Sequence, residues 1–77
     1  YPNPTDSEIS IDFNLNSNEK IQIDIVDVLG KKIRSLIINA NEGKNSVFIE
    51  TQSFAKGAYR VHMNGKTVSS SLPFVKL

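Results

Sequence analysis

Cysteine and tryptophan are absent from this 77-residue chain, and methionine and histidine occur once each. Without cysteine there is no disulfide framework, no thiolate nucleophile and no thiolate-held zinc. One histidine, His62, leaves no second imidazole for an H-E-x-x-H metal site. With only four glycines, neither G-x-G-x-x-G nor G-x-x-x-x-G-K-[ST] occurs, so no phosphate-cradling loop is present. An excess of one charge is lacking too: nine Lys and Arg stand against eight Asp and Glu, for a net charge of +1. That balance argues against a nucleic-acid partner or a polybasic membrane contact. No stretch approaches 18 consecutive apolar residues, so direct membrane insertion by a helix is not expected. The chain opens on Tyr1 and shows no charged-then-apolar leader, and we expect it to be a piece of something longer.

What the chain does have is strand chemistry. Ile and Val together number 15 and Ala only three, and β-branched side chains favour the pleated strand. Eight Asn and nine Ser supply turns. Pro2 and Pro4 make residues 1–5 a stiff, extended lead-in. Residues 8–15 alternate strictly, with Ile9, Ile11, Phe13 and Leu15 on one face. Residues 20–26 alternate again through Ile21, Ile23 and Ile25, and a turn at 16–18 suggests that these two strands are neighbours. Asp27 and Gly30 read as a hairpin turn with a bulge at the glycine. A third strand follows over 32–38 with Ile33, Leu36 and Ile38 as core candidates, their uneven spacing calling for a bulge or a switch of face near 34–35; a one-turn helix is the competing reading, against which Ile37 and Ile38 speak.

Residues 39–45 are polar and read as a loop. A short strand at 46–50 carries Val47 and Ile49, and Phe54 is expected to insert into the core from an irregular segment over 51–57. Residues 58–63 place Tyr59, Val61 and Met63 on one side, with Arg60 and His62 on the other. Asn64-Gly65 is the strongest hairpin signal, a type I′ turn by pattern. Pro73 interrupts the last segment, so residues 74–77 read as an edge strand or one that follows a bulge. The whole predicts an all-β fold: a small antiparallel β-sandwich of about seven strands forming one domain, an open barrel being the other architecture the pattern allows.

Catalytic constellations are not found. His62 sits on a strand without a nucleophile to activate and reads as solvent-facing. Asp24 and Asp27 flank a turn, but the alternating oxygen ladder of a calcium loop is missing, and Asp27 is better placed to cap its own turn. Asp24 has no apolar pocket to raise its pKa for acid catalysis. Lys31, Lys32 and Arg34 form the one basic cluster and read as a solvated turn, with no interleaved aromatics for nucleic acid. Tyr59 points to the core, its hydroxyl expected to be tethered to a backbone group. A core this small spares few positions for polar catalytic groups, and we expect a non-catalytic module that needs no metal or cofactor.

The same residues resemble a known family. Tyr1, Pro2, Asn3, Pro4 and Thr5 resemble its Y-P-N-P opening. Residues 25–33, with Asp27, Gly30 and Lys31, resemble its central hairpin, an aromatic followed by D-x-x-G-K-x-hydrophobic. Residues 54–61, with Gly57 and Tyr59, resemble its L-x-x-G-x-Y segment, and Phe74, Val75, Lys76 and Leu77 its basic and apolar last strand. The family is the C-terminal sorting domain of the type IX secretion system, type A. Val26 stands where the family often has an aromatic residue, and Pro73 near where a lysine is common.

This resemblance implies an Ig-like sandwich attached to an upstream cargo and passed through the outer-membrane translocon after Sec export. A sortase-like surface peptidase then removes it, and the cargo is released or held at the cell surface. The domain would be an address label and no enzyme. The last strand, Phe74, Val75, Lys76 and Leu77, is the expected recognition element by strand addition, and its edge could also drive self-association. The other reading is an accessory carbohydrate-binding or fibronectin-like module of a secreted hydrolase, which would want a groove of exposed aromatics.

Overall fold

The structure is a computed structural model and describes residues 7–77. Tyr1, Pro2, Asn3, Pro4 and the rest of the expected lead-in lie outside the described residues. Six strands are present among those described, one fewer than the pattern suggested: β1 (Glu8–Leu15), β2 (Glu19–Asp27), β3 (Lys32–Ala40), β4 (Gly43–Glu50), β5 (Gly57–Asn64) and β6 (Ser69–Lys76). They form two antiparallel sheets. One holds four strands in the order β3-β2-β5-β6, and the other pairs β1 with β4.

The alternation read from sequence decides which way each strand faces. Ile21, Ile23 and Ile25 of β2 are fully buried, as is Val61 beside them on β5, with Tyr59 and Met63 next to it. Opposite, β1 contributes Ile9, Ile11 and Leu15, and β4 contributes Ile49. Burying one such side chain is worth about 1.5–3 kcal/mol, so these two apolar faces are what hold the sheets together.

That geometry corrects the expected neighbours. β1 does not pair with β2; it pairs with β4 over its full length, from Glu8 opposite Glu50 to Leu15 opposite Gly43. Side by side, β1 and β2 would present both isoleucine rows on the same side of one sheet with little to cover them. Sent to opposite sheets, the rows cover each other. Residues 16–18 are therefore a crossover between sheets, fastened where the Asn18 side-chain oxygen accepts the Glu42 N–H at 2.7 Å.

The polar stretch at 39–45 is not a loop. β3 runs to Ala40 and β4 begins at Gly43, leaving only 41–42 as the turn. Its polar residues serve the turn itself. Asn45 accepts the Asn41 N–H through Oδ1 (3.1 Å) and donates through Nδ2 to the Asn41 and Gly43 carbonyls (2.7 and 3.2 Å).

The irregularity in β3 falls slightly earlier than expected. Ile25 pairs with Arg34 and Val26 with Lys32, so Ile33 is the extra residue. The bulge turns it outward to 40% exposure, and it is not a core residue; Leu36 and Ile38 beyond it are half-buried.

Asn64-Gly65 does not form the type I′ turn. Asn64 ends β5 in extended pairing with Ser69, and the tip lies at 66–67, closed by the Gly65 N–H to the Val68 carbonyl at 2.8 Å. Gly65 has no positive φ. It is small for another reason: a Cβ there would lie 2.5 Å from Glu19 Oε1 and 2.6 Å from Ile21 Cδ1. Glu19 uses this approach to hold the tip, accepting the Thr67 N–H at 3.1 Å and the Thr67 hydroxyl. The hydroxyl and then the N–H hold its carboxyl below its ordinary pKa.

Finally, Pro73 does not interrupt the last strand. β6 runs through it, with Pro73 opposite Arg60 and no register shift. β6 is an edge strand, as expected, and an edge is where a residue without an N–H can be accommodated.

Candidate recognition end

Three sequence segments far apart in the chain meet at one end of the four-stranded sheet. Register brings them there: Asp27 at the end of β2 lies opposite Tyr59 at the start of β5, and Gly57 and Tyr59 lie opposite Lys76 and Phe74 at the end of β6. Asp27, Gly30, Lys31, Gly57, Tyr59 and the last strand thus share one end.

The hairpin tip is built by Asp27. Its Oδ1 accepts the N–H groups of Leu29 and Lys31, both at 2.9 Å, while its carbonyl accepts the Gly30 N–H and its own N–H is given to the Lys31 carbonyl, both at 3.0 Å. Gly30 takes φ +83°, the bulge conformation foreseen for it. The carboxylate capping its own turn is the role the sequence suggested for Asp27. The tip so fixed holds Val28 and Leu29 at 74% and 90% exposure, with Lys31 exposed beside them. No local pattern marks these two aliphatic side chains for exposure to solvent.

Beneath the tip is an aromatic stack. Tyr59 lies between Phe54, with ring centroids 5.4 Å apart, and Phe74 at 5.3 Å, and its hydroxyl donates to the Ala55 carbonyl at 2.5 Å. The backbone tether expected for Tyr59 is this bond. Gly57, at φ +148°, makes the entry into β5 in a conformation side chains rarely adopt.

The last strand divides by face. Phe74 and Lys76 are buried, at 1% and 8% exposure, whereas Val75 and Leu77 are exposed. Of the four expected recognition residues, two are therefore part of the packing and two present their side chains outward.

The basic cluster is solvated, as the sequence suggested, and two of its members also have partners. All three are exposed, but Lys32 pairs with Asp24 at 3.7 Å, and Arg34 reaches over a ring. Its guanidinium lies 5.4 Å from the Phe54 ring centroid and donates from Nη1 to the Glu50 carbonyl at 3.2 Å. The bulge at Ile33 causes this, because it places Arg34 on the core face opposite Ile25.

The outer face of the sheet carries Asp24. It accepts hydrogen bonds from the Ser35 hydroxyl (2.6 Å) and the Gln22 amide (3.2 Å), and lies opposite His62 in register. The Ser35 bond, then Gln22, Lys32 and His62, outweigh desolvation and hold its carboxyl below its ordinary pKa. That is the reverse of what a general acid needs at neutral pH. Among the described residues, no three His, Asp or Glu side chains gather as metal ligands would.

The fold and this end together describe a small β-sandwich whose distinctive residues serve turns and packing, leaving an exposed tip and strand end for contact. A family model described as a secretion system C-terminal sorting domain matches residues 1–76, and the chain belongs to that family, the one its sequence resembles. No curated protein and no solved structure matches the chain.

Proposed function

We propose that this domain is a non-catalytic address label for type IX secretion, recognised at the end where the β2–β3 tip and the end of β6 meet. The family match carries the sorting role, and the convergence of Asp27, Gly30, Lys31, Gly57, Tyr59 and the last strand on one end supports the location. In this reading an upstream cargo is brought through the outer-membrane translocon to the surface or the medium. A sortase-like peptidase then removes the label. Binding needs no cofactor: the partner meets Val75 and Leu77 on the strand and Val28, Leu29 and Lys31 on the tip, while Phe74 and Lys76 keep the strand in place.

A carbohydrate-binding role draws no support from the surface. The one well-exposed aromatic ring among the described residues, Phe48, stands at 64% exposure in register with Ser10, without a second ring beside it.

The test is a secretion assay. A Sec-exported fluorescent reporter carries residues 1–77 at its C-terminus in a bacterium with a type IX translocon. Deleting 74–77 would remove a core ring and confuse sorting with folding, so the informative variants are Val75→Ser with Leu77→Ser, and Leu29→Asp. Export of the parent fusion, with periplasmic retention of variants that keep the parent's circular dichroism spectrum, supports the reading. Retention of the folded parent overturns the sorting role. Export of all variants overturns the location.

A further inference from the structure

The four strand edges of the sandwich are not equally guarded. β6 carries Pro73, β1 carries Glu8 and Asp12, and β4 carries Lys44 and Glu50. Proline and charge are the usual means of keeping an edge from pairing with another chain. β3, the opposite edge of the four-stranded sheet from β6, is different. Its charges are confined to Lys32 and Arg34 at its start, and the exposed Arg34 guanidinium is engaged over the Phe54 ring and with the Glu50 carbonyl. Residues 35–40, Ser-Leu-Ile-Ile-Asn-Ala, contain no charge, no proline and no glycine. In their middle, Ile37 is 68% exposed on a face it shares with Ser35 and Asn39, opposite Gln22. An uncharged, β-prone run on an edge strand is a template for strand addition.

We propose that this edge pairs antiparallel with β3 of a second copy of the chain, about a two-fold axis at Ile37. The sequence is self-complementary in that register. Ile37 faces Ile37 of the second copy, covering the most exposed apolar side chain of the strand. Leu36 meets Ile38 and Ser35 meets Asn39. A one-step slip would lose the isoleucine pair. The bulge at Ile33 ends the regular strand, so the paired length runs from Arg34 to Ala40, about seven residues a side. That is a small interface, and the dimer is weak and concentration-dependent. It joins two four-stranded sheets into one of eight, an isologous contact that closes on itself. Because the strands run antiparallel, the two recognition ends point in opposite directions and both stay accessible.

The test is sedimentation of the 77-residue chain across a concentration series up to about 1 mM, a range suited to small interfaces. The proposal expects mass to rise from 8.6 kDa toward twice that value. Ile37→Lys sets two ammonium groups opposite each other and weakens association roughly tenfold or more. Ile37 is exposed, so this variant keeps the parent's melting curve. The register has its own check. The chain has no cysteine, so Ile37→Cys is expected to form a disulfide dimer under mild oxidation much faster than Phe48→Cys, a comparably exposed position on the other sheet. A chain that stays monomeric at the highest concentration overturns the proposal. So does a dimer indifferent to Ile37→Lys, or equal crosslinking of the two cysteine variants.

Discussion

Arg34 stands over the ring of Phe54 and, from the same guanidinium, donates to the carbonyl of Glu50, so one side chain ties the four-stranded sheet to the last residue of β4 and to the segment that follows. Arg34→Met keeps an apolar stem on the ring and loses the cation and the donor. We expect a loss of about 1 kcal/mol, from an exposed cation–π contact and one hydrogen bond. Arg34→Lys should not restore it, since an ammonium cannot stack flat and donate sideways together. Urea unfolding of the three proteins measures this, and equal midpoints would show that the contact contributes nothing.

Gly65→Ala should cost more than Gly30→Ala. At Gly30 a Cβ meets nothing within 4 Å and only φ +83° resists it, which is worth about 1 kcal/mol. At Gly65 it collides with Ile21 at the floor of the core and with Glu19, and overpacking of this kind costs about 1–3 kcal/mol. Thermal melts separate the two, because one kcal/mol moves the midpoint of a domain this small by roughly 4–8 °C.

Thr51 is fully buried, and its hydroxyl has no hydrogen-bond partner among the described residues. Its N–H is used, donating to the Ser7 carbonyl at 2.8 Å. Thr51→Val replaces the orphan hydroxyl with a methyl of similar size and leaves the backbone bond alone. We expect a gain of about 1 kcal/mol, the desolvation cost of an unsatisfied group. A fall in the unfolding midpoint would show that the hydroxyl serves a need that this geometry does not reveal.

Acid should loosen the fold through Glu19 and Asp24. Both carboxyls are held below their ordinary pKa in the folded state, Glu19 chiefly by the Thr67 hydroxyl and Asp24 chiefly by the Ser35 hydroxyl. The unfolded chain therefore binds protons first, and stability is fully present above the unfolded carboxylate range, near pH 4. It is lost as pH falls from there through the depressed folded values. Thr67→Val and Ser35→Ala should each flatten that decline while changing little at pH 7 beyond the lost bond. A series of denaturation midpoints from pH 7 to pH 2 checks it; unchanged slopes in both variants would refute the linkage.

Much of this was legible because the isoleucines alternate. The rows 9-11 and 21-23-25 announce their inward faces without any tertiary information, and Asp27 with Gly30 announces its turn, since both signals are local. What escaped the sequence was long-range. Nothing near residues 16–18 distinguishes a hairpin from a crossover; the answer lies in β4, which offers β1 a better-matched partner thirty or so residues away. Asn64-Gly65 misled because a glycine chosen to clear Glu19 and Ile21 looks the same as one chosen for φ. At the proposed recognition end, the sequence pattern singles out Asp27, Gly57 and Tyr59, and their roles in turn and stack follow from ordinary chemistry. The burial of Lys76 and the exposure of Val28 and Leu29 depend on which strands lie alongside and had no local signal.

The Thr51–Ser7 bond places the start of β1 beside the segment 51–56, and Tyr59 ties that segment to the end of β6. Both strands are thus gripped at the same end. Tension applied between residue 7 and Lys76 does not shear either ladder along its length. It opens β1 from β4 beginning at Glu50, and β6 from β5 beginning at Gly57, one rung at a time. A sandwich loaded this way is expected to yield strand by strand to a modest pull, like a zip drawn from its open end.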